Sequence, residues 1–296
     1  MSTSITTAFV AKYESEVHHI YQREGSLLMP SVRHKSGVIG LTDTFQKIGT
    51  GTATTKSRHG TITPMNQTHE APTVTLVDFY AGDWVDKLDE AKITHDERQA
   101  IAKGGAMALG RKVDEQILTA LDSTTQSTIT LTVTSKATVL ATLIEFVEAL
   151  DDNDVPNDGM RYGLLTPRMW SQAMSVEEFA SSDYVQGDGL PFTQGAPVMQ
   201  RWKAWNGVLW KVHTGLPGKG TATAKCFIYH KNAIGYASAA SAGNVAGNGA
   251  VSADIQWHND RASHFIMHHM SGGALLIDDT GVIEGNLNDT TAIVTS

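Results

Sequence analysis

The sequence predicts an α+β fold, with helices concentrated early and short strands late. Two amphipathic stripes, over residues 94–121 and 137–150, supply the helices. The second half supplies LPFTQG, GVLWKVHTGLP and KCFIYHKNAIGYAS, apolar or aromatic runs broken by glycine and proline. With 296 residues the chain can bury a sizeable core, in one large domain or two smaller ones. Charged residues make up only 18%, which excludes a charge-driven disordered chain. Basic residues number 23 against 31 acidic, a net charge of -8, which argues against a surface devoted to coating nucleic acid. The single cysteine, Cys226, excludes an intrachain disulfide framework and a thiolate metal cluster. The opening MSTSITTAFVAKYESE lacks a basic start and a long apolar core, and no apolar run reaches membrane-span length. A soluble protein made in the cytoplasm is expected.

Taken in order, Phe9, Tyr13, Val17 and Ile20 recur at helical spacing and predict a short amphipathic arm helix. Residues 40–72 then turn polar. TDTFQKIGTGTATTKSRHGTITPMNQTHEAP is rich in threonine and glycine, with few apolar residues and no helical period. Such a stretch cannot carry its own core. It is either a disordered loop or a two-stranded ribbon, with GTG and RHG available for turns. VTLVDFYAGDW (74–84) returns as a strand. Thr94 and Glu97 form a capping-box signature ahead of Ala102, Ala106, Leu109, Val113, Ile117 and Leu121 on one face. That helix spans about 40 Å at 1.5 Å per residue. Gly104 and Gly105 inside it each cost up to about 1 kcal/mol of propensity, which predicts a bend or a close helix contact there.

STTQSTITLTVTS (123–135) alternates as a strand with one apolar face. Val139, Leu143, Val147 and Leu150 share the face of a second helix, with Ala137 and Phe146 at its margins. MRYGLLTP reads as a short buried strand. SVEE (175–178) is a further capping-box candidate, beside a helix over Met169–Phe179. HFIMHHMSGGALLIDDTGVIEGN closes the chain as two strands and a turn.

Signals for chemistry are weak. DDNDVPNDG (151–159) fails calcium-loop spacing: from Asp154, position three is Pro156 and position twelve is Leu165. A sharp turn at a helix exit is expected instead. GLPGKG (215–220) has His213 where a phosphate loop needs glycine and Gly220 where it needs a hydroxyl. No GxSxG elbow occurs. His264, His268 and His269 have HxxxH spacing, but in an extended run positions four apart lie about 13 Å apart. Packed or interfacial histidines are expected there, as they are for His18 and His19. Cys226 reads as a buried small hydrophobe. Trp202, Trp205 and Trp210, beside Arg201, Lys203 and Lys211, suit a core or interface better than base stacking. No catalytic residue, cofactor-binding residue or metal ligand is assigned.

The order of elements resembles the major capsid protein of tailed bacteriophages, the family with the HK97-like fold. Four stretches carry the resemblance. The polar ribbon at 40–80 is similar to that family's extended loop. DWVDKLDEAKITHDERQAIAKGGAMALGRKVDEQILTAL (83–121) resembles the run into its long spine helix, with Asp114 beside the apolar stripe. DNDVPNDGMRYGLLTPRMW (152–170) resembles its loop and strand after the second peripheral helix. Pro156, Gly159, Arg161, Leu164, Leu165 and Pro167 fit, although Met160 separates glycine from arginine. HHMSGGALLIDDTGVIEGN resembles the closing strands.

The resemblance implies an N-terminal arm (1–39), an extended β-hairpin loop (40–82), and a spine helix with the first part of a peripheral domain (83–165). It further implies a mainly axial domain (166–265) and C-terminal strands returning to the peripheral domain (266–296). The implied function is structural: self-assembly through pentamers and hexamers into an icosahedral shell around double-stranded phage DNA, in the virion, after assembly in the host bacterial cytoplasm. The implied partners are further copies of the chain, a separate scaffolding protein, a portal protein at one vertex and a decoration protein. Packaged DNA would lie nearby without sequence-specific contact, and no membrane or cofactor is expected. The arm helix begins almost at Met1, which leaves no room for a cleaved scaffolding segment. Some members cross-link a loop lysine to an asparagine of a neighbour; Lys47, Lys56, Asn286 and Asn288 are the residues in comparable regions. The alternatives are an encapsulin-like compartment shell or another virion structural protein, with a histidine-based metal enzyme as the reading from a different class.

Overall fold

The computed structural model describes residues 25–90, 97–180, 202–239 and 254–294. The first strands are β1 (Arg33–Val38), β2 (Thr42–Thr44), β3 (Lys47–Ile48), β4 (His69–Glu70), β5 (Thr73–Thr75) and β6 (Val77–Asp86). Helices α1 (Lys87–Glu90) and α2 (Glu97–Leu121) follow, then β7 (Ile129–Leu131), α3 (Lys136–Asp152), β8 (Arg161–Leu165), α4 (Pro167–Met174) and α5 (Glu177–Ala180). The remaining strands are β9 (Lys203–Trp205), β10 (Val208–Val212), β11 (Ala224–His230), β12 (Ile234–Ala239), β13 (Asp254–His258), β14 (Ser263–Leu276) and β15 (Val282–Leu287). The α+β order expected from the sequence is present. The arm helix, Thr94, LPFTQG, His18, His19 and Arg201 lie outside the described residues.

The chain divides into two compact units, and the division falls inside α2 and β14. The larger unit comprises Leu28–Val77, Asp114–Ala239 and Gly272–Ser296. Its main sheet runs β7-β15-β11-β8-β10-β9, with parallel pairing of β8 to β10 and of β7 to β15. One face of that sheet packs on α3 through Val139, Leu143, Val147 and Leu150, the stripe expected from periodicity, and through Phe146 at its margin; Met169 and Ala173 of α4 and Phe179 of α5 join the same core. Trp205 and Trp210 join this core, as does Cys226. Full burial pushes the Cys226 thiol pKa up to about 12, so it behaves as a hydrophobe. In the same unit β1 pairs in parallel with β12, which pairs with the end of β14.

The smaller unit comprises Met1–Leu27, Asp78–Val113 and Ala240–Ser271. There β13 pairs antiparallel with the start of β14, and β6 pairs with β14 as well. Lys87 stacks over Trp257, and Arg261 over Trp84 at 4.5 Å. The expected close approach near Gly104 and Gly105 exists, but its partner is a strand. A Cβ on Gly105 would meet the His268 ring at 2.7 Å, and nothing crowds Gly104.

Three further expectations are corrected. The apolar alternation at 123–135 yields only the three-residue β7, because Thr124 and Thr125 are drawn into hydrogen bonds with Asp279. The helix expected over Met169–Phe179 starts at Pro167, with Thr166 as the cap accepting from Met169 N–H. Ser175 terminates that helix instead of starting one. No helix among the described residues is long and apolar enough to cross a membrane.

Candidate functional site

The ribbon forms in part. Strands β2 and β5 pair antiparallel through Thr42–Thr75, Asp43–Val74 and Thr44–Thr73, and β3 and β4 pair through Lys47–Glu70 and Ile48–His69. Gly49 N–H donates to Thr68 O at 2.8 Å, and RHG lies in a turn closed by Gly60 N–H to Ser57 O. GTG contributes no turn. Between these points residues 49–68 form no regular structure.

Its root is anchored by Phe45, which is fully buried with Val74, Leu76, Ala237 and Ile277. Burying such a ring stabilises by about 1.5–3 kcal/mol. Two glycines make the seat. A Cβ on Gly235 would meet the Phe45 ring at 2.8 Å, and one on Gly273 would meet Thr75 O at 2.4 Å. Arg33 and Lys35 lie over the Phe45 ring at 5.7 and 5.1 Å. Lys35 also pairs with Asp43 at 2.8 Å, and that hydrogen bond holds the Asp43 carboxyl below its usual range. Beyond the root the exposure reverses: Ile48 is 60% exposed, Ile62 75% and Met65 54%. The ribbon is thus rooted at one end and leaves these apolar side chains uncovered within the chain.

Asp114 organises the interior of the larger unit. It is fully buried on α2, and its Oδ1 accepts from Leu28 N–H at 3.1 Å while Oδ2 lies 3.2 Å from His213 Nε2. Gly215 N–H donates to His213 Nδ1, which leaves the proton on Nε2, facing Asp114. Ser31 Oγ donates to Leu28 O, so the Tyr229 hydroxyl donates to Ser31 Oγ at 2.6 Å. The chain after Gly25 is thereby tied down at Leu28 and Ser31. His213 escaped sequence reading because its partner lies 99 positions away.

The acidic stretch is a turn, and a buried arginine explains it. Arg161 is 1% exposed and donates to Val155 O and to Pro156 O, while pairing with Asp151 at 2.6 Å. Asp154 takes a left-handed backbone at φ 56°. Asp158 accepts from Met160 N–H and lies 3.1 Å from His230 Nε2. The carboxylates here cap and neutralise. GLPGKG is a loop in which Gly220 N–H donates to buried Asp289.

The other candidates are dispersed. His264, His268 and His269 lie along β14. His268 is buried, which lowers its pKa, while His269 is exposed. Among the described residues no three His, Cys, Asp or Glu side chains converge as a metal site. Trp202 stands half-buried against Tyr162, under Lys211. A groove of about 600 Å³ is lined by Asn157, Trp205, Asn206 and Gly207, with no titratable group among its described lining residues. Lys47 pairs with Asp278, Lys56 is exposed, Asn286 is half-buried, and Asn288 caps a turn by accepting from Thr290.

A family model described as phage capsid protein matches residues 5–288. No curated protein matches the chain in sequence. Among solved structures, the capsid of cyanophage P-SCSP1u is similar at 13% identity and TM-score 0.68, covering 98% of this chain and 96% of that one. Mycobacterium phage Che8 is similar at 15% identity and TM-score 0.67, covering 96% and 98%. The capsid of Ralstonia phage GP4 is similar at 11% identity and TM-score 0.66, covering 99% of both chains. At such low identities these likenesses carry the fold, which is HK97-like overall. The family match spans nearly the whole length, and on it the chain belongs to the phage capsid protein family, structural proteins of the virion shell.

Proposed function

We propose that the chain is the major shell subunit, assembling through pentamers and hexamers of itself into an icosahedral container for double-stranded phage DNA. Residues 1–39 act as the arm, 40–82 as the extended loop, and 83–165 as the spine helix with the first part of the peripheral domain. Residues 166–265 form mainly the axial domain, and 266–296 return to the peripheral domain. A separate scaffolding protein, a portal protein at one vertex and a decoration protein complete the partner set, and assembly takes place in the host bacterial cytoplasm. One observation carries this reading: the ribbon is locked at Phe45 yet leaves Ile48, Ile62 and Met65 uncovered. A subunit in a shell gains its stability from several neighbours, and a rooted arm supplies contact area at little cost in ordering the root.

The test removes residues 49–68 and joins the ends with a short glycine–serine linker. The expected product is a folded subunit, judged by circular dichroism, that forms no stable shells by negative-stain microscopy. Unchanged shell yield and heat resistance refute the role given to the ribbon.

A further inference from the structure

The lysines of the larger unit differ in what neutralises them. Lys35, Lys47 and Lys225 each lie within 3.0 Å of a carboxylate: Asp43, Asp278, and Asp122 together with Glu284. Lys203 pairs with no carboxylate among the described residues. Glu177 and Glu178, the nearest acidic residues of α5, make no ion pair with it. A half-buried ammonium without a counter-ion is out of keeping with the other three, and its surroundings explain it.

Alternation along β9 puts Lys203 and Trp205 on one face of the strand. Trp205 enters the core beside Phe179, ring centroids 5.4 Å apart, and its Nε1 donates to Glu178 O at 3.0 Å. Lys203 follows the same direction two residues earlier and reaches only the edge of that core. Its Nζ lies 4.6 Å from the centroid of the fully buried Phe179 ring and 3.7 Å from Sδ of Met174, the last residue of α4. A ring face and a thioether are weak partners for an ammonium that has given up water. Burial accordingly lowers the Lys203 pKa from the ordinary 10.5. Lys87 also lies over a ring, but Lys87 is exposed and its Trp257 is 40% exposed, so water still reaches that cation.

We infer that Lys203 is a nucleophilic amine and the preferred acylation site among the described lysines, taking its acyl group from a small activated donor, an acyl phosphate or a thioester. The ammonium first releases a proton to water. Nζ then attacks the carbonyl carbon with its lone pair, and the C–O bond of the acyl phosphate or the C–S bond of the thioester breaks. Phosphate or thiolate leaves with the bonding electrons, and the nitrogen passes a second proton to water. The product is a neutral amide. Removing a charge that the site solvates poorly favours that product, and the same desolvation supplies the free amine that attacks. The donor has to be small, because Met174 and Phe179 flank the nitrogen.

The experiment treats the unassembled full-length subunit with acetyl phosphate in one arm and with the thioester S-acetyl-N-acetylcysteamine in the other. Peptide mass mapping, with a protease that does not cut at lysine, follows each lysine over time. Lys203 is expected to acetylate several-fold faster than Lys56, an exposed lysine of the ribbon, and the arm with the larger preference identifies the donor. The preference is expected to vanish in urea, where both side chains are fully solvated. Met174→Glu, at a position 42% exposed, sets a carboxylate beside Nζ. It is expected to bring Lys203 down to the rate of Lys56 and to leave Lys56 itself unchanged. Equal rates for Lys203 and Lys56 in both arms overturn the assignment. So does a preference that persists in urea, or a Met174→Glu chain that acetylates Lys203 as fast as the unaltered one.

Discussion

Replacing Asp114 by alanine deprives two buried donors of their acceptor. Leu28 N–H and His213 Nε2 both face that carboxylate, at 3.1 and 3.2 Å. The histidine cannot compensate by changing tautomer, because its Nδ1 already accepts from Gly215 N–H at 3.1 Å. A buried donor without a partner costs about 1–3 kcal/mol, and relief of the carboxylate's own burial returns part of that. The net loss is about 2–4 kcal/mol, a large share of the roughly 5–15 kcal/mol that holds an ordinary domain together. At roughly 2–4 °C per kcal/mol the melting point falls by about 4–16 °C. Asp114→Asn retains one acceptor for Leu28 but turns an amide toward the His213 N–H, so it recovers about half. Thermal unfolding of the unassembled subunit, followed by circular dichroism, measures all of these. His213→Ala completes a double-mutant cycle in which the double variant loses about 1–2 kcal/mol less than the sum of the single variants. A melting point for Asp114→Ala within about 1 °C of the unaltered chain refutes the reasoning, and so does strict additivity.

Arg161→Leu strands the carbonyls of Val155 and Pro156 and should cost about 2–4 kcal/mol; Arg161→Lys should rescue little, since one ammonium cannot span the three acceptors. Equal stability of the lysine variant and the unaltered chain contradicts this. Burial works against charged Asp279, but hydrogen bonds donated by Thr125, Thr124 and Gln126 outweigh it and hold the carboxyl below its ordinary 3.8. Its contribution is therefore complete above that value and fades as pH falls through the lower folded pKa. Asp279→Asn should flatten the acid limb of a stability–pH curve below about pH 4, and parallel acid limbs refute the assignment. Cys226 should resist a thiol reagent at pH 8 in the native subunit and react once unfolded; rapid native labelling contradicts its burial.

The helices were legible because a core-facing stripe repeats at 3.6 residues wherever one side of a helix is buried. Leu109, Val113, Ile117 and Leu121 are all buried, as are Val139, Leu143, Val147 and Leu150. The ribbon was legible from threonine and glycine, since such a stretch has no core of its own to hide in. Its anchor was not: Phe45 is one aromatic in a polar run, and only the glycines at 235 and 273 make it a root. The α4 boundary was written in the sequence as Thr166 before Pro167, a cap followed by a proline at the first helical position. SVEE offered a rival cap signature, and the fold uses its serine as a stop. Asp114 drew attention as a charge beside an apolar stripe, but its meaning depends on Leu28 and His213, which no local spacing connects. Arg161 likewise inverts the reading of the acidic turn only once its burial is known.

The seat of the ribbon has a consequence for the order of events on the ribosome. Phe45 emerges about 190 residues before Gly235, and Thr75 about 200 before Gly273. Translation at roughly 5–20 residues per second leaves the root without its socket for about 10–40 s. Strand β1 waits equally long, since Arg33 aligns with Gly235. A nascent chain can therefore form local helices but cannot fix the ribbon until Gly235 and Gly273 have emerged. Chains that stop short of Gly273 are thus kept from presenting a properly seated ribbon.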